Sequence, residues 1–545
     1  MAYVPDMGSN SKCYREKSAK VVMPISRSPS NDENFWDDVL DGPASSRRGF
    51  VVMAGSRYTL GIALFASLGT FLYGYDTGIV TTTIAHQSWV EYMNHPDPAL
   101  VGAVGAIYIG GEAVGAVLQI LIGDKLGRIG FMQLLCVIVT IGCVIQTAAV
   151  NMGMLLAGRI LTGIAVGALC ATVPIYLSEI SSPKSRGLIG GLSGVGLSCG
   201  IMFANWIGFA CNYFSYGNVQ WRLPLGLQIP WGIILFIGLT TFMPNSPRYL
   251  LRKGKIEEAR KAFIRIRSDL TSHEVLQEFS LMRSQIEFES ERRLPSFAEA
   301  FRLYRRRILV SVAVQVLTCI TGVNVIQYYQ TTLYKSLGIE GRTVLALTAV
   351  WGTCAFLSSA ISIKFLPDRM GRRNMLLLGV LWVIFTEIYA AVMQREFQHT
   401  DNRVGKGFAI LGIYVFTVGY YSLINPVTWL YGAEVLPISL RNKFMGVAAT
   451  AHYVVNVGIT EAGPSAFKNI GENYYYVFVG CCTVYLVIIY LWFPETKQKT
   501  LEEIAAAFGD HVVEVQEHDM LTDEAALAAK AEAAKMGAAH VEVKA

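Results

Sequence analysis

The sequence predicts an all-α polytopic membrane protein of twelve helices in two halves of six. Three observations predict it: apolar windows of span length recur twelve times, a basic loop divides them six and six, and charge motifs at the span ends repeat between the halves. A helix needs about 20 apolar residues to cross a hydrocarbon core of roughly 30 Å. The chain has 545 residues, 52% hydrophobic and 16% charged. Its windows lie at Tyr58–Ile79, Leu100–Ile122, Phe131–Ala149, Met154–Leu177, Leu188–Phe209 and Leu223–Met243. The second set is Ile308–Tyr334, Val344–Leu366, Met375–Met393, Phe408–Leu430, Met445–Gly463 and Tyr475–Phe493. Their many Gly and Ala residues suit close helix approach in lipid, and a soluble helical core does not repeat apolar windows of this length.

Residues 1–57 are polar and Ser-rich and lack the short apolar core and cleavage site of a secretory signal, so they read as a disordered cytoplasmic tail. The first half then occupies 58–244, a cytoplasmic loop 245–307 and the second half 308–493. A cytoplasmic tail, 494–545, carries an Ala-rich helical end from Glu524 to Met536. Basic residues cluster after every second span, at Lys125 and Arg128, Lys184 and Arg186, Arg248 to Arg307, Arg369 to Arg373, Arg441 and Lys443, then Lys497 and Lys499. The positive-inside rule therefore predicts that both termini are cytoplasmic. The loop Arg248–Arg307 holds 15 Lys or Arg against 9 Asp or Glu, and Ile256–Arg267 sets charged and apolar residues at helical spacing. It predicts short amphipathic helices on the cytoplasmic face. Such a loop also attracts nucleic-acid phosphate, but orientation accounts for its charge more economically, and no nucleic-acid partner is expected.

Asp124-Lys-Leu-Gly127-Arg128 follows the second span, and Asp368-Arg-Met-Gly371-Arg372 follows the eighth, 244 residues later. Glu179 with Arg186 is echoed by Glu434 with Arg441 at an offset of 255. Parallel halves with substrate bound between them near the bilayer midplane predict a rocking carrier. An enzyme is not expected, because neither a P-loop nor a metal-ligand cluster is present. The string Gly196-Leu-Ser198-Cys-Gly200 lies inside a span, not at a strand-to-helix turn. Ten cysteines, among them Cys136, Cys143 and Cys170, fall mostly within spans without C-x-x-C spacing. They read as small apolar residues, and no cofactor or metal is expected. Without a P-loop, an ion or solute gradient supplies the energy.

A charge inside a span costs at least about 2.5–3.5 kcal/mol on insertion scales, so an intramembrane carboxylate needs a partner or water. Asp76 in the first span has a candidate partner in Arg159 of the fourth. Glu112, Glu387 and Glu461 also lie in or beside spans with no role assigned. The Gly-rich surroundings of Glu112 predict a tightly packed second helix.

Six elements occur in order: Gly74-Tyr-Asp76-Thr-Gly78, Gly158-Arg159 with Gly163, Pro244-Asn-Ser-Pro247-Arg248, Thr321-Gly322-Val-Asn324, Pro426-Val-Thr-Trp429 and Pro494-Glu-Thr-Lys497. On them, from about Tyr58 to Glu503, the chain resembles the sugar porters of the major facilitator superfamily. Trp221-Arg-Leu-Pro-Leu and the tails are most similar to fungal members. The resemblance implies the major facilitator fold and proton symport of a monosaccharide or related polyol by alternating access. It further implies a plasma-membrane location and a monomer as functional unit. In proton-coupled members the matching Asp and Arg pair, which makes Asp76 and Arg159 the coupling residues; the alternative is a buried pair that only locks two helices. Asp124, Arg128, Glu179 and Arg186, with Asp368, Arg372, Glu434 and Arg441, resemble an interdomain charge latch that stabilises an outward-open state.

A sugar hydroxyl moved from water must find a new hydrogen-bond partner. The seventh span of the family reads Q-x-x-Q-Q-x-[ST]-G-x-N, whereas this chain has Gln315-Val-Leu-Thr318-Cys319-Ile-Thr-Gly-Val-Asn324. Gly194 stands where the fifth span usually carries a Gln, and His452-Tyr453 stands in place of an Asn-Trp pair. The binding groups expected are Gln315, Asn324, Tyr328, Trp429, His452 and Asn456. His452 titrates near neutrality if solvated; the plainer reading is a satisfied structural residue. The altered pocket also admits a carrier or exporter of a non-sugar metabolite, such as an organic acid or secondary metabolite. A transporter-like sensor is disfavoured by the short tail.

Overall fold

The structure, a computed structural model, describes residues 53–215, 217–267, 273–291, 297–339 and 341–509. Most of the expected N-terminal tail and the Ala-rich end lie outside them. Among the described residues every regular element is helical, and ten helices are long and apolar enough to cross a membrane. One of these, Leu100–Thr147, has 48 residues, twice the length of a span. Its backbone turns at Gly127, where φ is 77° and ψ 177°, so it is two spans. Arg441–Ile470 is 30 residues long but is diluted in hydropathy by Lys443, His452, Asn456 and Glu461, and completes a set of twelve.

We number these α1 (Arg57–Thr83), α2 (98–126), α3 (128–147), α4 (Met152–Ile180), α5 (Arg186–Cys211) and α6 (Val219–Thr241) in the first half. The second half has α7 (Arg305–Ser336), α8 (Arg342–Phe365), α9 (Arg372–Phe397), α10 (Arg403–Glu434), α11 (Arg441–Ile470) and α12 (Tyr474–Trp492). Within α7 the helix breaks between Ile320 and Val323, where Gly322 takes φ 71°. Within α10, Tyr420–Ile424 is a π turn, which rotates the helix that follows it.

The repeated motif has a backbone reason. Gly127 and its counterpart Gly371 have φ of 77° and 87°, the left-handed region open to glycine at no steric cost. A Cβ on Gly127 would fall 2.5 Å from the Tyr249 ring, and one on Gly371 would strike the Glu495 carboxylate. Each motif is thus a sharp turn that carries its Asp and Arg on either side.

The loop between the halves forms helices Pro247–Arg252, Ile256–Arg267, His273–Glu291 and Phe297–Leu303. The described apolar residues of the first three do not lie open to a surface. Leu250, Leu251, Phe263, Phe279, Met282 and Ile286 pack into one cluster with Ile438, Leu501 and Ile504. The last two come from Leu501–Ala507, a short helix beyond α12 started by a capping box of Thr500 and Glu503.

The halves meet closely at the end that carries this cluster. Gln119 on α2 donates to the Asn442 carbonyl at 3.2 Å and Asn442 Nδ2 returns a bond to the Gln119 carbonyl at 3.4 Å. A Cβ on Gly446 of α11 would lie 2.9 Å from the Ala116 carbonyl of α2. Further along the same two helices, Gly102, Gly105 and Gly458 have nothing within 4 Å of an added Cβ among the described residues.

Candidate functional site

The fourth helix brings Arg159 to Asp76 of the first. Nη1 of Arg159 donates to Asp76 Oδ1 at 2.7 Å and to its backbone carbonyl at 3.4 Å, and both side chains are fully enclosed. The guanidinium also lies 3.9 Å from the centre of the Tyr108 ring on α2, a desolvated cation–π contact. Asp76 Oδ2 and Arg159 Nε have no hydrogen-bond partner among the described residues. One carboxylate and one guanidinium are therefore held by a single strong bond, which protonation of Asp76 would release. Removing one member of a buried pair costs roughly 3–5 kcal/mol.

Next to this pair lies a cavity of about 40 Å³ between the halves. The first half contributes Tyr73, Thr77, Leu197 and Ile201. From the second half come Thr318, Val323, Asn324 and Gln327 on α7, Tyr420, Tyr421, Asn425 and Trp429 on α10, and His452 on α11. Thr77 follows Asp76 directly, and its hydroxyl lies 3.3 Å from Tyr108 Oη, so the cavity wall and the ion pair share one network. On this measure a water takes about 10–15 Å³, so the cavity holds a few waters, and a larger solute requires the halves to part.

Of the expected binding groups, Asn324, Trp429 and His452 line this cavity. Asn456 stands behind Asn324 and accepts its Nδ2 at 2.8 Å. Tyr328 packs with the apolar core that runs through the first half. Gln315 is fully buried, with Nε2 donating to the Thr428 carbonyl of α10 at 3.3 Å. Gly432 of α10 lets α7 approach, a Cβ there falling 2.7 Å from Gln315 Nε2, and this draws the amide into the helix contact.

His452 is fixed by its surroundings. Nδ1 lies 2.9 Å from the Gln315 carbonyl and 2.7 Å from Thr318 Oγ1, with Trp429 and Tyr453 rings at 5.4 and 5.0 Å. A carbonyl only accepts, so Nδ1 carries the hydrogen in that contact, and Nε2 is the remaining polar atom of a ring that lines the cavity. The gap expected at Gly194 is closed from the other half: Asn425 Nδ2 donates to the Gly194 carbonyl at 3.0 Å. Asn425 thus supplies an amide where the fifth span has none.

Sequence reasoning missed Tyr73, Thr77, Gln327, Tyr420, Tyr421 and Asn425. The spacing of Tyr73 and Thr77 by one helical turn on the segment containing Asp76 is a signal that was available. The positions on α10 depend on the π turn.

At the helix-cluster end, the motif residues form two similar knots. Arg128 grips Glu179 with two bonds, Nη2 to Oε1 at 2.8 Å and Nε to Oε2 at 3.2 Å, and reaches Asp124 at 3.3 Å. Arg372 reaches Glu434 at 3.4 Å and Asp368 at 3.3 Å. These pairs lie within their own halves. The links between halves are made by different bonds: the Asp368 carboxylate accepts the backbone N–H of Gly187 at 3.1 Å and of Leu188 at 3.2 Å, at the start of α5. Arg252 joins Asp124 at 2.6 Å to the Ser439 carbonyl at 2.8 Å, and Arg186 donates to the Lys499 carbonyl at 2.8 Å. Arg441 faces Glu179 electrostatically and donates to the Leu436 carbonyl at 3.2 Å.

The family described as sugar (and other) transporter matches residues 62–508. The MFS-type transporter criB of Aspergillus cristatus is 32% identical over 464 residues, 84% of this chain and 95% of that protein. The low-affinity glucose transporter HXT3 of Saccharomyces cerevisiae is 27% identical over 529 residues, 93% and 91% of the two chains. Among solved structures, the proton:xylose symporter XylE bound to 6-bromo-6-deoxy-D-glucose superposes with a TM-score of 0.74 at 21% identity, covering 83% of this chain and 99% of that one.

Proposed function

Because the chain belongs to the sugar (and other) transporter family and is an integral multi-pass membrane protein of the major facilitator fold, we propose that it is a proton-coupled symporter of a monosaccharide or related polyol, working by alternating access. The observation that carries this reading is the junction of two features: a cavity walled by hydrogen-bonding and aromatic side chains of both halves, and the Asp76–Arg159 pair one residue away from its wall. A hydroxylated ligand would meet Thr77, Asn324, Gln327, Asn425 and His452, with Trp429 for its C–H face. The names of the glucose carrier HXT3 and the xylose symporter XylE agree with this substrate class.

Coupling follows from the buried pair. While Asp76 is ionised it holds Arg159, and α1 is tied to α4. A proton on Asp76 weakens that tie, so the change of state and the proton move together. The knots at the helix-cluster end act as the latch, with Asp368 on the start of α5 as its cross-half bond. The excess of Lys and Arg at that end supports reading it, and both termini with it, as cytoplasmic, in a plasma membrane. The state described here is closed on the cytoplasmic side.

The test is uptake by yeast that lacks its own hexose carriers and expresses this chain at the surface. Labelled sugars, polyols and organic acids are offered at acidic and neutral pH, with and without an uncoupler. Sugar uptake that falls with the uncoupler and in Asp76→Asn is the expected result. Uptake of an organic acid alone, or of none of these solutes, overturns the sugar assignment.

A further inference from the structure

Glu112 lies on α2 one turn beyond Tyr108, fully buried, with the Tyr108 hydroxyl beside its carboxyl and neither carboxylate oxygen at hydrogen-bond distance and angle from a partner among the described residues. It is held there by glycine: a Cβ on Gly167 of α4 would come within 2.5 Å of Glu112 Cα and 2.8 Å of its Cβ. The two backbones touch, and the carboxyl has no route to solvent on that side. The hydroxyls of Tyr73, Tyr108, Tyr328 and Tyr453 lie within electrostatic reach of it, two from each half. Tyr453 Oη is occupied in donating to the Gly167 carbonyl at 3.1 Å. Cys170 of α4 and Cys319 of α7 are the remaining titratable neighbours of neutral type. The charged ones are Asp76 and Arg159.

Arg159 therefore stands among two carboxyls. It is bonded to Asp76 through one nitrogen and rests on Tyr108, the residue one turn before Glu112, while its Nε has no partner. An ionised carboxylate buried without a partner costs several kcal/mol; as the acid it costs only an unpaired polar group.

Resting on the proton-coupled reading and deepening it, we propose that Glu112 is a second proton-binding residue of the coupling site and the alternative partner of Arg159. A proton arriving from the cavity at Thr77 forms an O–H bond on Asp76, which frees the guanidinium. Arg159 turns to Glu112, whose O–H bond breaks, and that proton leaves through the tyrosine hydroxyls. One proton enters and one leaves. Before the exchange Asp76 is the anion and Glu112 the acid; afterwards the roles are reversed. The net charge of the three groups is zero in both states, so a site closed to water tolerates both.

Infrared difference spectroscopy on the full-length chain in liposomes tests this without substrate or gradient. Carboxyl-labelled glutamate identifies glutamic acid bands, and a Glu387→Gln background removes the other buried glutamate whose oxygens have no partner. The expected result is a carboxylic-acid carbonyl band that Glu112→Gln abolishes and Asp76→Asn, which frees Arg159, reduces several-fold. Adding Arg159→Gln to Asp76→Asn restores it. A spectrum unchanged by Glu112→Gln, or a Glu112 band as strong in Asp76→Asn as in the parent, overturns the proposal. If Glu112→Gln does not assemble, the Asp76→Asn comparison decides alone. Uncoupler-sensitive uptake judges proton coupling separately, so the two readings fail on different measurements.

Discussion

Arg159 is held by three different forces at once: a charged hydrogen bond to Asp76, a bond to its backbone carbonyl and the face of Tyr108. The ring is the part that can be removed without touching a charge. Tyr108→Leu is expected to lower stability by about 1–2 kcal/mol, read as thermal unfolding of the purified protein. At this scale the charged residues were legible in the sequence. An ionisable group inside an apolar span is costly enough to stand out, and Asp76 and Arg159 are paired as expected. Thr77, Gln327 and Tyr421 were not legible, since a hydroxyl or amide in a helix adds little cost and leaves no pattern. Gln315 shows the converse. A polar residue in the right motif lies against α10, because Gly432 lets the helices come close enough to take up its amide.

The helices themselves were readable because span length and turn chemistry are local. The twelve windows correspond to twelve helices, and the glycine of each repeated motif sits at the turn the repeat implies. Gly371→Ala is expected to cost about 1–3 kcal/mol from backbone strain, and more from its collision with the Glu495 carboxylate, measured by thermal unfolding. Gly127→Ala adds a collision with Tyr249, and Tyr249→Ala in that background is expected to recover only the steric part. What was not local was not readable. The π turn at Tyr420–Ile424 carries no glycine or proline of its own, yet it decides which residues of α10 face the cavity. The loop helices were expected as short amphipathic helices on the cytoplasmic face; what covers their apolar residues was not legible, and most of these pack on one another and on the segment after α12, a contact between stretches more than 200 residues apart.

In the whole molecule the two halves were legible from the offsets of 244 and 255 residues; Asp124, Arg186 and Asp368 of the repeated motifs take part in the links between them, but the partners they meet there were not legible. The repeated arginines mainly tie up carboxylates of their own half, and closure depends on pairs such as Gln119 with Asn442, 323 residues apart. Two buried amides that bond each other are worth about 0.5–1.5 kcal/mol per bond. Asn442→Leu is therefore expected to shift the balance toward a state open at the helix-cluster end. Spin labels at Lys125 and Lys443 would report it as a longer distance population, and an unchanged distribution would count against closure through this pair.

Glu495 accepts four backbone N–H groups, those of Arg372, Arg373, Thr496 and Lys497, each at 2.9 to 3.1 Å. Its carboxylate thus caps the start of α9 with the segment that follows the last span, and a few residues later Leu501 and Ile504 seal the loop cluster. For anyone cutting or fusing this chain, the end of the last membrane helix is the wrong place to stop. A protein ending at Phe493 would lose its clasp on α9 and lay bare Leu250, Phe263 and Ile438, whereas a tag joined after Gly509 would leave every one of these contacts in place. Comparing the melting temperatures of the two truncations would show where the working body of the carrier ends.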